Sequence, residues 1–130
     1  MTDFTNIEVG KFGEDYCTKY VKKIKKYKIL ERNATIGRLE ADIIAYDKDH
    51  IIFIEVKTRR VDKKNFLRPG SSVDYNKRTN LISFAYHFVK TLPPKHKDKT
   101  PRIDVCEIWV EADKKLKVCD LNYIENAVTR

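Results

Sequence analysis

The sequence predicts a single α/β domain of the sandwich type, in which helices pack on a β-sheet. Helix-like and strand-like patterns alternate along 130 residues, a length that suits one domain over 1–130. Residues 51–56 are apolar at nearly every position, which is typical of a central strand covered on both faces. Apolar stripes at helical spacing in residues 7–26 and 73–92 provide the covering helices.

The first predicted helix spans residues 7–26. Its apolar side chains recur at the i, i+3, i+4, i+7 spacing of one helix face, namely Cys17, Tyr20, Val21 and Ile24. One turn earlier the same stripe reaches Glu14 and then Gly10. An acidic side chain is therefore expected in line with the side of the helix that faces the core.

The next elements form the predicted sheet. Residues 27–32 are a candidate first strand, and residues 40–46 and 51–57 are two β-prone runs. Residues 47–50 between them are polar turn residues, so the two runs predict a β-hairpin. Residues 58–72 are polar and basic and contain Pro69-Gly70, which predicts a long loop.

The second half repeats the helix-then-strand order. Residues 73–92 predict a helix that Pro93-Pro94 ends, with one apolar face made of Leu81, Ala85, Phe88 and Leu92. Residues 102–110 predict a strand and residues 116–119 a weaker one. Residues 122–128 fit either a short helix or an extended tail.

The hairpin collects charged side chains at one end. A turn centred between Lys48 and Asp49 pairs Asp42 with Glu55, Glu40 with Lys57, and Ile44 with Phe53, all on one face. Two carboxylates about 5 Å apart repel by roughly 3 kcal/mol at an effective dielectric of about 20. A lysine, a raised pKa or a bound cation could compensate, and carboxylate oxygens suit Mg²⁺ or Mn²⁺.

Two alternatives stay open from spacing alone. The same acids and lysine could instead form ordinary salt bridges at a strand end. The register also matters, because a three-residue turn would put Asp42 and Glu55 on opposite faces unless a bulge restored them.

Composition indicates the class of partner and compartment. Lys and Arg number 27 against 19 Asp and Glu, a net charge of +8 that suits nucleic acid, although a solvated basic surface explains it equally well. The three cysteines lack CxxC spacing and are expected to be free thiols in the core or at an interface. With no signal-peptide pattern and no apolar run of about 20 residues, a cytoplasmic location without a membrane partner is expected.

A set of short motifs gives the chain a family resemblance. It resembles the YraN family, predicted relatives of PD-(D/E)XK nucleases and Holliday-junction resolvases, from about residue 10 to residue 126. The matching motifs are Gly10-x-x-Gly13-Glu14, Tyr27-x-Ile29-Leu30-x-Arg32-Asn33, Glu40-x-Asp42-Ile43-Ile44-Ala45, Phe53-Ile54-Glu55-Val56-Lys57-x-Arg59, Val73-x-x-x-Lys77 and Arg102-Ile103-Asp104-Val105. The chain departs from the family at Leu39, where glycine is usual, and near Asn80, where an arginine is expected.

The resemblance implies a restriction-endonuclease-like core, with a central mixed sheet flanked by helices, and phosphodiester hydrolysis as the reaction. Asp42, Glu55 and the backbone carbonyl of Val56 would hold Mg²⁺ or Mn²⁺, and Lys57 would lie beside the attacking water. Glu14 would assist at the metal. Its alternative role is an acid favoured by the helix dipole. Glu40 would pair with Lys57 or contact the metal.

The resemblance also implies a nucleic-acid partner. Lys77, Arg59, Arg60 and Arg68 are candidate contacts to a phosphate backbone, although a lysine at the core edge and loop arginines need have no such role. Arg102 and Asp104 are expected to form a structural ion pair. The function expected is a metal-dependent DNA nuclease, with branched or structured DNA as candidate substrates and, by analogy with resolvases, a homodimer. The alternatives are a non-catalytic nucleic-acid-binding module and a protein that docks an acidic partner.

Overall fold

The fold is an α/β arrangement of two helices and one five-stranded mixed sheet. The computed structural model describes residues 4–61 and 75–127, without the side chains of residues 75–78. The elements follow in the order α1 (Asn6–Lys23), β1 (Lys28–Ile36), β2 (Leu39–Tyr46), β3 (His50–Val61), α2 (Tyr75–Phe88), β4 (Thr100–Ala112) and β5 (Leu116–Ile124). Two single-turn 3₁₀ helices, Val89–Thr91 and Pro94–His96, connect α2 to β4.

The sheet has the strand order β1-β2-β3-β4-β5. The pair β3 and β4 is parallel, and the other neighbouring pairs are antiparallel. The apolar strand β3 is therefore central, as its sequence predicts. It is flanked by β2 and β4 and buried from Ile51 to Val56.

The helices cover opposite faces of this sheet. Alternating residues of β2 and β3 pack on the α1 side, where the core contains Ile43, Ala45, Ile52, Ile54 and Val56. The intervening residues Ile44, Ile51 and Phe53 pack on the α2 side with Leu81 and Phe84. This alternation confirms the predicted division of the hairpin into two faces. No helix among the described residues is both long enough and apolar enough to cross a membrane.

Helix α1 begins with a capping box and ends earlier than predicted. The Glu8 N–H donates to the Thr5 hydroxyl at 3.1 Å, and the Thr5 N–H donates to the Glu8 carboxylate at 2.9 Å. The helix ends at Lys23, and Lys26 has a positive φ of 65°, so the prediction of helix to residue 26 was wrong. As a result Ile24 is 64% exposed rather than on the core face.

Helix α1 contacts the sheet at Gly13. A Cβ atom at this position would lie 1.9 Å from the Thr58 Oγ1 atom and 2.9 Å from its Cβ atom, so only glycine fits without movement. The buried stripe runs through Val9, Gly13, Cys17 and Val21. The helix axis therefore comes closest to β3 one residue after Lys57.

Other boundaries also differ from the predictions, and β4 spans Thr100–Ala112 rather than residues 102–110. Strand β1 continues to Ile36. Residues 58–61 were predicted as loop but extend β3, because β4 pairs with β3 as far as Val61–Glu111. The rest of the predicted loop, residues 62–72, and the first two residues of the predicted helix, 73–74, lie outside the described residues. The helical hydrogen bonding of α2 ends at Phe88 and tightens to a 3₁₀ turn before Pro93. Strand β5 continues to Ile124, so of the two predictions for residues 122–128 the extended one holds for 122–124.

A buried carboxylate fixes the C-terminal segment. Asp104 is fully buried and accepts two bonds from the Arg102 guanidinium, each 2.9 Å, which confirms the predicted ion pair. It also accepts bonds from the Tyr123 hydroxyl at 2.6 Å and the Asn126 N–H at 2.9 Å. A charged group with this many donors is stable in the core. Cys17 and Cys106 are buried as predicted, whereas Cys119 is exposed on the edge strand β5.

The contact at Gly13 predicts opposite effects for the two glycines of α1. Gly13→Ala should lower the free energy of unfolding by about 1–3 kcal/mol because the new methyl group overpacks against Thr58. Gly10→Ala is the matched control, since nothing lies within 4 Å of its Cβ position. It should raise stability by about 0.5–1 kcal/mol. Urea unfolding of both variants measures this, and equal effects would contradict the close approach.

The environment of His96 predicts a loss of stability in mild acid. The ring is buried against Tyr46, with ring centroids 4.5 Å apart, and neither ring nitrogen has a hydrogen-bond partner among the described residues. Burial, followed by the nearby charges of Lys95 and Lys99, lowers the pKa of His96 below its ordinary value. The unfolded chain therefore binds a proton more readily than the folded one. Stability should fall as the pH drops below about 6.5 and level off below the lowered pKa.

Urea unfolding between pH 8 and pH 5 tests this, with His96→Phe beside His87→Phe. The first variant should lose part of the acid-induced decline, whereas the second, at an exposed position, should keep it. An unchanged decline in His96→Phe would assign the acid sensitivity to other groups.

Candidate functional site

The candidate site begins where two paired strands separate. The ladder between β2 and β3 runs from Tyr46–Ile51 to Ile43–Ile54 and contains the predicted pair Ile44–Phe53. The register prediction is therefore confirmed, but the ladder ends one step before Asp42 and Glu55. Glu40 pairs with Thr35 on β1 instead. The predicted pairing of Glu40 with Lys57 was wrong, because β2 has left β3 by that point.

Asp42 replaces the missing backbone partner of β3. Its carboxylate accepts the Val56 N–H at 2.8 Å. If the antiparallel ladder continued, this N–H would donate to a backbone carbonyl of β2. The N–H and the carbonyl of one strand residue point to the same edge, so the Val56 carbonyl also points toward the gap between the strands. A carboxylate and a backbone carbonyl are thus directed to one place.

A small cavity lies at this end of the hairpin. Its volume is about 210 Å³, and its lining residues are Arg38, Leu39, Glu40, Asp42, Glu55, Asn80 and Leu81. One water needs roughly 10–15 Å³ of such space, so the cavity has room for several waters or for a hydrated cation. Glu55 is 7% exposed, Asp42 is half-buried and Glu40 is exposed. The structure therefore brings three of the predicted acids to one cavity.

Glu14 lies close enough to these acids to feel their charge. Burial, followed by the charge of Asp42, raises the pKa of Glu14 above its ordinary value, and Glu40 adds to the effect. The Arg32 guanidinium acts in the opposite direction, with its Nη2 atom 3.6 Å from the Glu14 carboxylate. Arg32 also donates to Asp15 at 2.9 Å. Because Gly13 packs directly against β3, the next residue, Glu14, lies near the acidic end of the hairpin.

Lys57 follows Glu55 by two positions on β3 and is half-buried. Its neighbour in the parallel ladder is Glu107 of β4, which is 2% exposed and accepts a bond from the Asn122 amide at 3.2 Å. Because paired residues of neighbouring strands share a face, Lys57, Glu55 and Glu107 lie on the same side of the sheet. Lys57 itself does not line the cavity.

The predicted phosphate contacts have mixed positions. Arg59 is half-buried on β3 beside Trp109 of β4. Arg60 donates to the Phe4 carbonyl at 2.7 Å and to the Asn6 side chain at 3.2 Å, so it holds the start of α1 against the end of β3. Arg68 and the side chain of Lys77 lie outside the described residues.

The donor set limits how a metal could bind. Within the described part of the chain, no group of three or more His, Cys, Asp or Glu side chains is arranged to hold a metal ion. A site here would need Asp42, Glu55 and the Val56 carbonyl, with waters completing the shell. This composition fits Mg²⁺, which keeps several waters and binds through one or two carboxylates.

Sequence reasoning assigned no role to three residues near the cavity. Arg38 belongs to the turn between β1 and β2, Asn80 to α2, and Arg32 to β1. The sequence signals were the proximity of Arg38 to Glu40, the presence of Arg32 in a family motif, and the departure from the family near Asn80, where an arginine is expected. Their approach to the acids depends on strand pairing and helix packing that no local pattern encodes.

Comparisons with known proteins give a consistent result. The profile of the uncharacterised protein family UPF0102 matches residues 13–108. The chain is similar to a UPF0102 protein of Dictyoglomus thermophilum, with 39% identity over 94% of this chain and 98% of the relative. It is similar to a UPF0102 protein of Caldanaerobacter subterraneus, with 36% identity over 92% of this chain and 93% of the relative. A UPF0102 protein of Thermodesulfovibrio yellowstonii is 40% identical over 93% of this chain and 96% of the relative.

The position of Glu14 predicts that replacing it with a neutral residue raises the stability of the fold, by an amount that depends on pH. Because its pKa is raised in the folded chain, ionisation of Glu14 destabilises the fold as the pH rises above about 4.5. Glu14→Gln should therefore be more stable than the wild type at pH 7 in the absence of divalent metal. The gain should shrink as the pH falls below about 4.5, because the carboxyl group then becomes protonated in both states.

Thermal unfolding in EDTA at several pH values measures this difference. Glu31→Gln, an exposed acid on β1, is the control and should show no comparable gain. A Glu14→Gln variant less stable than the wild type at pH 7 would mean that the Arg32 interaction outweighs burial and the repulsion from Asp42.

Proposed function

The chain belongs to the uncharacterised protein family UPF0102, also called the YraN family, and we propose that it is a metal-dependent nuclease that hydrolyses phosphodiester bonds in DNA. One observation carries the proposal. Asp42, Glu55 and the edge of β3 that bears the Val56 carbonyl come together where β2 leaves β3. A sheet that opens at its acidic end is the arrangement expected of a PD-(D/E)XK nuclease core.

The charge balance of the cavity supports a bound cation. Three carboxylates line it, and a fourth, Glu14, has its pKa raised by burial and by the charge of Asp42 and Glu40. Acids kept this close destabilise the fold unless a cation or a proton compensates. Mg²⁺ or Mn²⁺ held by Asp42, Glu55 and the Val56 carbonyl would supply that compensation. Glu14 and Glu40 are candidate further ligands.

The chemistry follows from what each group can do. The bound cation would lower the pKa of a water and neutralise charge on the phosphate. Lys57, beyond Glu55 on the same face, would donate hydrogen bonds to the attacking water and to the phosphate oxygens as negative charge develops. The water oxygen forms a bond to phosphorus, and one P–O ester bond breaks. A proton passes from the water to the departing oxygen through solvent or a neighbouring carboxylate.

The net charge of +8 supports DNA as the partner. The candidate backbone contacts are Arg59, Arg68 and Lys77, whereas Arg60 already donates to Phe4 and Asn6. Contacts of this kind hold the phosphate backbone and do not read bases. Branched or structured DNA, a two-fold dimer and a cytoplasmic location remain part of the proposal. The same charge favours a second candidate, a nucleic-acid-binding module without catalysis, which would bind DNA with no dependence on the acids.

The first experiment is cleavage of a labelled panel of single-stranded, duplex, flap and four-way-junction DNA in Mg²⁺, Mn²⁺ or EDTA. The wild type is expected to cut at least one member when metal is present. Asp42→Ala and Lys57→Met should slow cutting by about 100-fold or more, because the first removes a proposed metal ligand and the second the proposed donor to the attacking water. Glu31→Gln and Lys28→Met, exposed on β1, are matched charge controls.

The outcomes separate the two candidate functions. Metal-dependent cutting that disappears in Asp42→Ala and persists in both controls establishes the nuclease. Binding that falls with salt but shows no cutting, and is unchanged by metal or by Asp42→Ala, would replace it with the binding module.

A further inference from the structure

We propose that Arg38, together with Asn80, forms an anion-binding subsite that takes a backbone phosphate oxygen of the nucleic acid. The inference rests on the proposed function and extends it, because it gives a role to the two polar lining residues that are not proposed metal ligands. Arg38 is the one cationic residue among the described lining residues, and Asn80 supplies an amide donor.

The position of Arg38 is set by a tight turn. Ile36 pairs with Leu39, so Gly37 and Arg38 alone form the loop between β1 and β2. Gly37 has a φ of 60°, and a glycine at the first central position is the pattern of a type II′ hairpin turn. This turn places Arg38 at the end of the hairpin where β2 leaves β3. The acids on β2 and β3 and Asn80 on α2 meet it there.

The guanidinium of Arg38 is available to a ligand. The cavity also contains Glu40, Asp42 and Glu55, yet among the described side chains no ion pair within 4.0 Å joins Arg38 to a carboxylate. Arg32, in contrast, is engaged with Glu14 and Asp15 on α1. An arginine that shares a cavity with acids but does not pair with them retains its donors for an incoming anion.

The dimensions and chemistry select the ligand. A volume of about 210 Å³ is below the range of about 300–1,000 Å³ typical of pockets for small organic ligands. It suits one phosphate group next to a partly hydrated cation. A guanidinium fork matches two phosphate oxygens, and an amide N–H matches a third. The subsite would therefore hold the phosphodiester backbone between the cation and Arg38.

Binding without cleavage tests the subsite. Affinity for labelled duplex and single-stranded DNA is measured in EDTA and in Ca²⁺ at several salt concentrations. The variants are Arg38→Gln, Arg38→Lys and the control Lys48→Gln, which removes an exposed charge from the turn at the opposite end of β2. Unfolding curves of all three verify that the fold is unchanged.

Arg38→Gln should weaken binding by about 5- to 30-fold and reduce the slope of log K against log salt for duplex DNA by about 0.9. Arg38→Lys should recover only part of the affinity, because lysine keeps the charge and loses the fork. Lys48→Gln should bind as the wild type. Changing the base sequence of the DNA should leave these ratios unaltered. Arg38→Gln binding as tightly as Lys48→Gln at every salt concentration would overturn the subsite.

The subsite and the nuclease proposal can fail separately. A wild type that cuts nothing, with affinity still lost in Arg38→Gln, would keep the subsite and reject the nuclease. A wild type that cuts with metal, with Arg38→Gln neither binding more weakly nor cutting more slowly, would keep the nuclease and reject the subsite.

Discussion

The hydrogen bond from the Val56 N–H to the Asp42 carboxylate is the contact on which the site depends. A buried N–H that lost its ladder partner would cost about 1–3 kcal/mol if nothing replaced it. The Asp42 side chain meets this need at the point where β2 turns away toward the β1 hairpin. The strands can therefore separate without an unsatisfied donor, and the space between them becomes a cavity lined by acids.

The surrounding packing keeps this opening in place. β3 is paired with β4 along its whole length, from His50–Thr100 to Val61–Glu111, so it cannot follow β2 when that strand leaves. Helix α1 packs on β3 through Gly13, with no side chain between the helix and Thr58. A rigid central strand and a helix held close to it give Asp42, Glu55 and Glu14 fixed relative positions, which a metal or phosphate site requires.

The charges around the cavity are of both signs. Burial, followed by repulsion from Asp42, raises the pKa of Glu14 at the open end of the hairpin. Arg32 offsets part of the charge from the α1 side, and Arg38 lines the cavity from the β1–β2 turn. Asp104 differs because Arg102, Tyr123 and the Asn126 N–H already satisfy it. It is a structural acid, and the cavity acids are the groups that we propose hold a cation.

The sequence by itself determined the α/β class, the central position of β3, the register of the hairpin and the two faces of its side chains, because these follow from local periodicity and a short turn. Family motifs named Asp42, Glu55 and Glu14. Only the tertiary structure decided that the ladder stops at Ile43–Ile54, that β3 extends to Val61 beside β4, and that Arg38 and Asn80 reach the acids. These features depend on contacts between residues far apart in the chain, and no local pattern carries that information.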